Sequence, residues 1–306
     1  MKKILLTSTA LIATASVAAA EVKFEGYGRF GLGYVEDRGD TADDVILVSR
    51  FRLNIDAKTE TDTGVEFSAR VRLQADEDAD TGEQKAAGLN GARFSVIYGG
   101  LRVDAGNVGG AIDNLDNYYG TEPGLETFLG QYSGVDYDFL GYSSDGAGSN
   151  AVFFQYKIGG GAVSASYDQG DRDRWDISAA YTFNNVTAAL AYGQTGAPTD
   201  GEKESLVVLT LGAEVGDVSG SLFIANDDVD KEESGVAYGL SGAYSLGAAT
   251  TLQFAYGDGG AGARNIGVGA KYDLGGGASL LGGIGQIQSG DEDGQLRADL
   301  GAQFAF

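Results

Sequence analysis

The chain contains no cysteine and no histidine, and only two prolines, Pro123 and Pro198. After residue 20 it offers no run of even ten successive apolar residues. Each absence excludes something. Without cysteine there is no disulfide framework, so stability must come from size and backbone pairing. Without histidine or cysteine, Ser-His and Cys-His nucleophilic pairs and His- or Cys-ligated metals are excluded. The short apolar runs exclude a membrane-spanning helix. Basic residues are scarce too: 21 Lys and Arg stand against 44 Asp and Glu, a formal net charge of −23. That balance excludes a nucleic-acid partner, because phosphate binding needs a basic footprint. Scarce proline, by contrast, leaves long hydrogen-bonded ladders uninterrupted.

The first twenty residues stand apart. Met1-Lys2-Lys3 precedes an apolar stretch from Ile4 to Val17, then Ala18-Ala19-Ala20 before Glu21. A short basic region, a brief apolar run and small residues at −3 and −1 describe a secretory signal peptide over 1–20, cleaved after Ala20. Loss of Lys2 and Lys3 takes the net charge from −23 to −25. The mature chain, 21–306, then forms one domain.

That domain alternates with period 2 almost throughout, the signature of strands. Phe51, Leu53, Ile55 and Ala57 share one face, with Arg50, Arg52, Asn54, Asp56 and Lys58 on the other. Val65, Phe67, Ala69, Val71 and Leu73 alternate with Glu66, Ser68, Arg70, Arg72 and Gln74. The closing segment repeats the pattern through Leu296, Ala298, Leu300, Ala302, Phe304 and Phe306. Sixteen such segments are joined by seven short turns alternating with eight longer polar loops. Short turns at one rim and long loops at the other define a 16-stranded antiparallel transmembrane β-barrel of the outer-membrane kind. Aromatics support it. Phe183, Tyr244, Tyr272 and Phe306 fall beside short turns, while Tyr34, Tyr167, Trp175, Tyr192 and Tyr256 fall beside long loops, as two interfacial girdles would.

Other readings of the same pattern fit less well. A water-soluble β-sandwich also alternates, but its strands would not carry unpaired charges at mid-length on one face and a bilayer-long apolar face on the other. A calcium-binding β-helix needs Gly-Gly-x-Gly-x-Asp repeats at nine-residue spacing; Gly257-Asp258-Gly259-Gly260 is isolated. Such glycines read instead as turn and lumen positions that keep the interior open. Acidity alone suggests disorder, which sixteen Tyr and fourteen Phe oppose. Acidic doublets such as Asp43-Asp44, Asp227-Asp228 and Glu232-Glu233 sit in loops and read as solvated surface, so no enzyme is expected.

Charge distribution is the informative feature. Eleven of the nineteen Lys and Arg of the mature chain lie between Lys23 and Arg102, and Arg29, Arg50, Arg52, Arg70, Arg72, Arg93 and Arg102 share the polar parity. From Val103 to Tyr156 there is no basic residue. The longest loop, 107–150, lies in that interval and carries Asp113, Asp116, Glu122, Glu126, Asp136, Asp138 and Asp145. Folded inward, this loop faces the arginines across the channel and narrows it, and the opposed charges set up a transverse field. The plainer alternative pairs the arginines with Glu25, Asp56, Glu66 and Asp104 on neighbouring strands. Asp113 and Asp116, two carboxylates at short spacing, are a candidate calcium site, although the rest of an EF-hand loop is missing.

Three stretches carry a family resemblance: Glu21-Val22-Lys23-Phe24, the run Tyr272-Asp273-Leu274-Gly275-Gly276-Gly277-Ala278-Ser279 with Gly282-Gly283-Ile284, and the ending from Ala298-Asp299-Leu300-Gly301 to Phe306. They resemble general diffusion porins of alphaproteobacteria, the type found in purple photosynthetic bacteria. The ends match most specifically and the middle in layout only. The resemblance implies sixteen antiparallel strands, residence in a Gram-negative outer membrane among lipid and lipopolysaccharide, and a homotrimer. It further implies a third loop folded into each barrel, and a terminal Phe306 read by the outer-membrane assembly machinery. One departure is that Glu122-Pro123-Gly124 stands where enteric porins carry Pro-Glu-Phe-Gly. The expected function is passive diffusion of ions and small hydrophilic solutes through a water-filled channel. A solute-specific channel and an outer-membrane adhesin are the rival readings.

Overall fold

The computed structural model of the chain describes residues 20–39, 43–126, 128–170, 173–196, 203–228, 235–259, 262–290 and 293–306. The expected leader, apart from Ala20, and the Glu232-Glu233 doublet lie outside the described residues.

Regular structure among the described residues is all strand. The strands are β1 (Glu21–Val35), β2 (Val45–Glu60), β3 (Glu66–Asp76), β4 (Gly88–Leu89), β5 (Arg93–Tyr98), β6 (Leu101–Gly106), β7 (Ala151–Ile158), β8 (Gly161–Asp168) and β9 (Arg174–Phe183). They continue as β10 (Val186–Gln194), β11 (Ser205–Val215), β12 (Val218–Asp228), β13 (Gly235–Leu246), β14 (Thr250–Asp258), β15 (Ala263–Gly275), β16 (Ala278–Ser289) and β17 (Gln295–Ala305). Each pairs antiparallel with its sequence neighbour, except that β4 and β5 do not pair with each other. The short β4 and the longer β5 both pair with β3, so the two share one place and the wall has sixteen positions. β1 pairs with β17 on one side and β2 on the other, which closes the sheet into a barrel and leaves no edge strand.

The alternation is what makes the wall stable in a membrane. Leu47, Ile158, Val215 and Leu300 point outward and are more than half exposed. In water such an apolar surface would be a liability. Against hydrocarbon it costs nothing, while the closed ladder satisfies every strand amide that lipid could not. Phe183, Tyr244, Tyr272 and Phe306 are exposed beside the short turns, and Trp175 packs on Tyr192 at 5.4 Å between ring centroids near the other rim. No helix of the described residues is long and apolar enough to cross a bilayer; the strands do so.

Two local features fix the register. The two-residue hairpins need positive φ, which Asn184 (φ 53) and Gly216 (φ 61) supply. At the seam, Phe304 and Phe306 lay their rings over Gly28 and Gly26, and Gly26 and Phe306 exchange two backbone hydrogen bonds of 3.0 Å. The glycines leave room for the rings that complete the outer surface.

Alternation alone suggests a polar lumen all the way round, and here the structure differs. On β11, Val207, Leu209 and Leu211 face outward while Leu206 and Val208 face inward and are wholly buried. Phe223 and Ala225 on β12 and Ala237 on β13 are buried on the same inner side. Both faces of this wall are covered, the inner one by residues 107–150.

Candidate functional site

The long loop between β6 and β7 lies on the lumen side of the wall. Ile112, Leu115, Tyr118 and Tyr137 from the loop pack with Leu206, Val208 and Phe223 from the wall. Burial of each large side chain contributes roughly 1.5–3 kcal/mol. Val108, Ala111 and Leu140 form a second contact with Ala151 and Phe153 at the start of β7.

Polar wall side chains hold the loop backbone in turn. Asp227 Oδ2 accepts from the amides of Asp136 (2.7 Å) and Tyr137 (3.0 Å), and Ser166 Oγ accepts from Ala111 N (2.9 Å). Thr210 Oγ1 donates to Asp116 O (2.6 Å) and Asn265 Nδ2 to Leu129 O (2.7 Å). Asp299 Oδ2 accepts from Glu126 N (2.8 Å). The buried Gln131 side chain accepts through Oε1 from Ser221 (2.8 Å) and Ser241 (3.1 Å), while its amide nitrogen donates to Asn117 O (2.5 Å). These partners come from β8, β11, β12, β13, β15 and β17, all on the parity opposite the exposed apolar face, so the loop crosses the barrel interior. Lumen glycines therefore serve close approach and not an open interior: a Cβ on Gly239 would overlap the carbonyl oxygen of Gln131.

Facing the loop is the arginine wall. In the ladders, Arg29 sits opposite Arg50, and Arg70 opposite Arg93. Four of the seven arginines are in ion pairs with carboxylates. Arg29 and Arg50 both meet Glu126, and Arg50 also donates to Asp76 at 2.7 Å. Arg70 is bidentate on Asp56 (2.6 and 2.8 Å), and Arg102 is bidentate on Asp104. Arg52, Arg72 and Arg93 form no ion pair with a carboxylate among the described residues. Arg52 donates to Gln74, Arg72 to Asn54 and Ser144, and Arg93 lies 5.5 Å from the Tyr142 ring centroid.

The loop acids divide. Among the described residues, Glu126 is the loop acid that reaches the arginine wall. Glu122 accepts from the Tyr132 hydroxyl (2.6 Å), and Asp136 is exposed. Asp138 pairs with Arg174 of β9 at 3.0 Å, away from the seven arginines singled out by the sequence. Asp116 is exposed and held through its backbone. Asp113 Oδ1 accepts from the Tyr119 hydroxyl (2.5 Å) and its Oδ2 from Tyr142 N (3.3 Å), and burial pushes its carboxyl up from the usual 3.8. Asp113 and Asp116 gather no third carboxylate, and no metal-sized group of acids occurs among the described residues. The donor set does not fit calcium, which takes six to eight oxygens.

The inward loop and the plain cross-strand pairing thus coexist. Asp56 takes Arg70 across the β2–β3 ladder as the plainer alternative had it, whereas Asp104 takes Arg102 on its own strand, Glu25 pairs with Lys23 and Glu66 with Lys58. Tyr27, Tyr142 and Ser144 carry no sequence signal as arginine partners, and Asn54 and Gln74 are placed by parity on the polar face without that role. The loop residues had no signal short of its path.

A closed antiparallel barrel, apolar outside and charged within, is a membrane channel. The Gram-negative porin family model matches residues 7–292, so the chain belongs to that family, and it resides in the outer membrane. Similar curated proteins are the porins of Fuscovulum blasticum, 33% identical over 304 residues, and Rhodobacter capsulatus, 30% identical over 320. Each comparison spans 94% of this chain and all of the relative. Among solved structures, a triple mutant of Rhodopseudomonas blastica porin superposes with a TM-score of 0.78 at 30% identity, covering 94% of this chain and all of that one.

Proposed function

We propose that the barrel passes ions and small hydrophilic solutes by diffusion and that Glu126, set against Arg29 and Arg50, forms the negative side of its narrowest point. The observation that carries this reading is the loop itself, held inside the barrel by hydrogen bonds to six strands on the lumen parity. Charged side chains on facing surfaces orient water and favour small polar solutes over apolar ones. The chain is exported by a leader cleaved after Ala20, assembled through its Phe306 end and organised as a homotrimer among outer-membrane lipid and lipopolysaccharide. These points rest on the leader pattern and the porin resemblance of the sequence. None of them requires catalysis.

Single-channel recording in a planar lipid bilayer tests the reading. Conductance steps in groups of three, rising nearly linearly with salt, are expected. Deletion of residues 117–134 should enlarge each step. Silence would overturn the channel reading, and conductance unchanged by the deletion would remove the loop from the channel.

A further inference from the structure

The β2–β3 ladder sets four consecutive lumen pairs side by side: Arg50 with Asp76, Arg52 with Gln74, Asn54 with Arg72, and Asp56 with Arg70. The outer two are ion pairs. The inner two are not. Arg52 Nε donates to Gln74 Oε1 at 2.5 Å, and Arg72 Nε to Asn54 Oδ1 at 2.9 Å. An amide oxygen completes the hydrogen bond but leaves the charge in place. The ladder could hold an acid of the same shape at position 54, whereas at position 74 the amide nitrogen also donates to Asp76 Oδ2 at 2.7 Å. It holds amides at both.

A third guanidinium adjoins them. Arg93, opposite Arg70 in the next ladder, makes no side-chain hydrogen bond, and its Nε is buried without an acceptor. Aromatic rings lie against these cations: Tyr27 is 5.4 Å from Arg52, and Tyr142 is 4.7 Å from Arg72 and 5.5 Å from Arg93. Rings cover guanidinium faces and leave the N–H edges available. Between two of those edges stands one loop oxygen, Ser144 Oγ, which accepts from Arg72 Nη1 (2.6 Å) and Arg52 Nη2 (3.4 Å). An oxygen atom is thus already accommodated where the two guanidiniums converge.

Neighbouring cations need a counterion. Two unit charges about 6 Å apart repel by roughly 0.7 kcal/mol in water and roughly 3 kcal/mol at the effective dielectric near a protein surface. The chain as a whole is strongly acidic, with net charge −23, yet among the described residues no carboxylate forms an ion pair with these three, and Asp104, the acid nearest Arg93, is bound directly by Arg102. We propose that Arg52, Arg72 and Arg93, with the Ser144 hydroxyl, form a lumen binding site for a phosphate oxyanion, either inorganic phosphate or the phosphate group of a small solute. The inference rests on the channel reading above and names a solute class that the channel concentrates. Phosphate suits the site better than chloride or a carboxylate. It offers three or more acceptor oxygens and about −1.5 to −2 charge at neutral pH, which guanidinium forks match two N–H groups at a time.

The test is single-channel current in KCl at fixed ionic strength and pH 7.5, titrated with inorganic phosphate, then with glycerol 3-phosphate, with acetate as the carboxylate control. A saturable fall in current with phosphate, and little with acetate, is expected. The double variant Asn54→Asp, Gln74→Glu should raise the half-blocking concentration by about tenfold or more, equivalent to about 1.4 kcal/mol. Thr251→Glu adds a like charge on β14, on the lumen parity and away from the loop, and should leave the block in place. Block by glycerol 3-phosphate as well as phosphate assigns the site to phosphorylated solutes; block by phosphate alone assigns it to the free ion. Current that follows bulk conductivity without saturation, or a block the double variant does not weaken, overturns the proposal. If no current appears in KCl alone, the channel reading has failed instead. Equilibrium binding of radiolabelled phosphate to the detergent-solubilised wild-type protein then decides the site by itself, and absence of saturable binding rejects it.

Discussion

Glu126 Oε1 and Arg50 Nη2 meet at 3.0 Å although 76 residues separate them. One belongs to the long loop and the other to β2, and the same carboxylate oxygen also meets Arg29. Among the described residues this is the one place where a loop acid touches the arginine wall. The Glu126 backbone is tied in turn to Asp299 on β17, which fixes the carboxylate from behind.

Removing that carboxylate should alter selectivity. In Glu126→Gln the guanidiniums of Arg29 and Arg50 lose a shared counter-charge while the side-chain shape is kept. A unit charge about 6 Å from a permeating ion is worth about 0.7 kcal/mol in water, or about threefold in permeability ratio. Reversal potentials in a KCl gradient should move toward the anion by that factor. An unshifted reversal potential would place Glu126 outside the ion path.

Gly239 tests the close approach of loop and wall. Its missing Cβ makes room for the Gln131 carbonyl, so Gly239→Val must push the loop off β13. Overpacking of this kind costs about 1–3 kcal/mol. The barrel should still assemble, with changed conductance and faster proteolytic cleavage within residues 107–150. Wild-type conductance and cleavage would show that the contact is dispensable.

The Asp227→Ala substitution strands two amides, those of Asp136 and Tyr137, that the carboxylate now accepts. Each unsatisfied buried group costs about 1–3 kcal/mol. Increased open-channel noise and faster amide exchange around residue 136 are expected. Exchange protection equal to wild type would mean that water or another acceptor replaces Asp227 at no cost.

Asp113 gives a pH dependence. Burial raises its carboxyl above 3.8, so the folded state disfavours its ionised form. A carboxyl raised on folding contributes stability that is present below the unfolded value and lost as pH rises through the folded one. The Asp113→Asn protein should therefore gain thermal stability over wild type at pH 8 relative to pH 3.5. An equal difference at the two pH values would mean that Asp113 titrates as it does unfolded.

The barrel was legible because one face must meet hydrocarbon and the other water, which writes period 2 into nearly every strand. Sixteen segments, the order of short turns and long loops and the outward aromatics followed from that constraint. Along β11 the pattern is hidden: Leu206, Val207, Val208 and Leu209 read as continuous apolar residues because the loop covers the inner face while the outer face meets lipid. Arg50, Arg52, Arg70 and Arg72 could be assigned to one wall from parity alone. Their partners could not be named that way, because Glu126, Tyr142 and Ser144 arrive from a loop with no period to read.

By itself, then, the sequence determined the strand count and which residues face outward. These are consequences of local periodicity and composition. Tertiary structure alone decided that Glu126 meets that wall, that Asp113 turns to Tyr119 and Tyr142, that Asp138 goes to Arg174, and that Arg52, Arg72 and Arg93 keep their charge. Those outcomes depend on where the backbone of residues 107–150 is held by Asp227, Thr210, Ser241 and Asp299. Such contacts join residues about a hundred positions apart, and only closure of the barrel brings them within hydrogen-bonding distance.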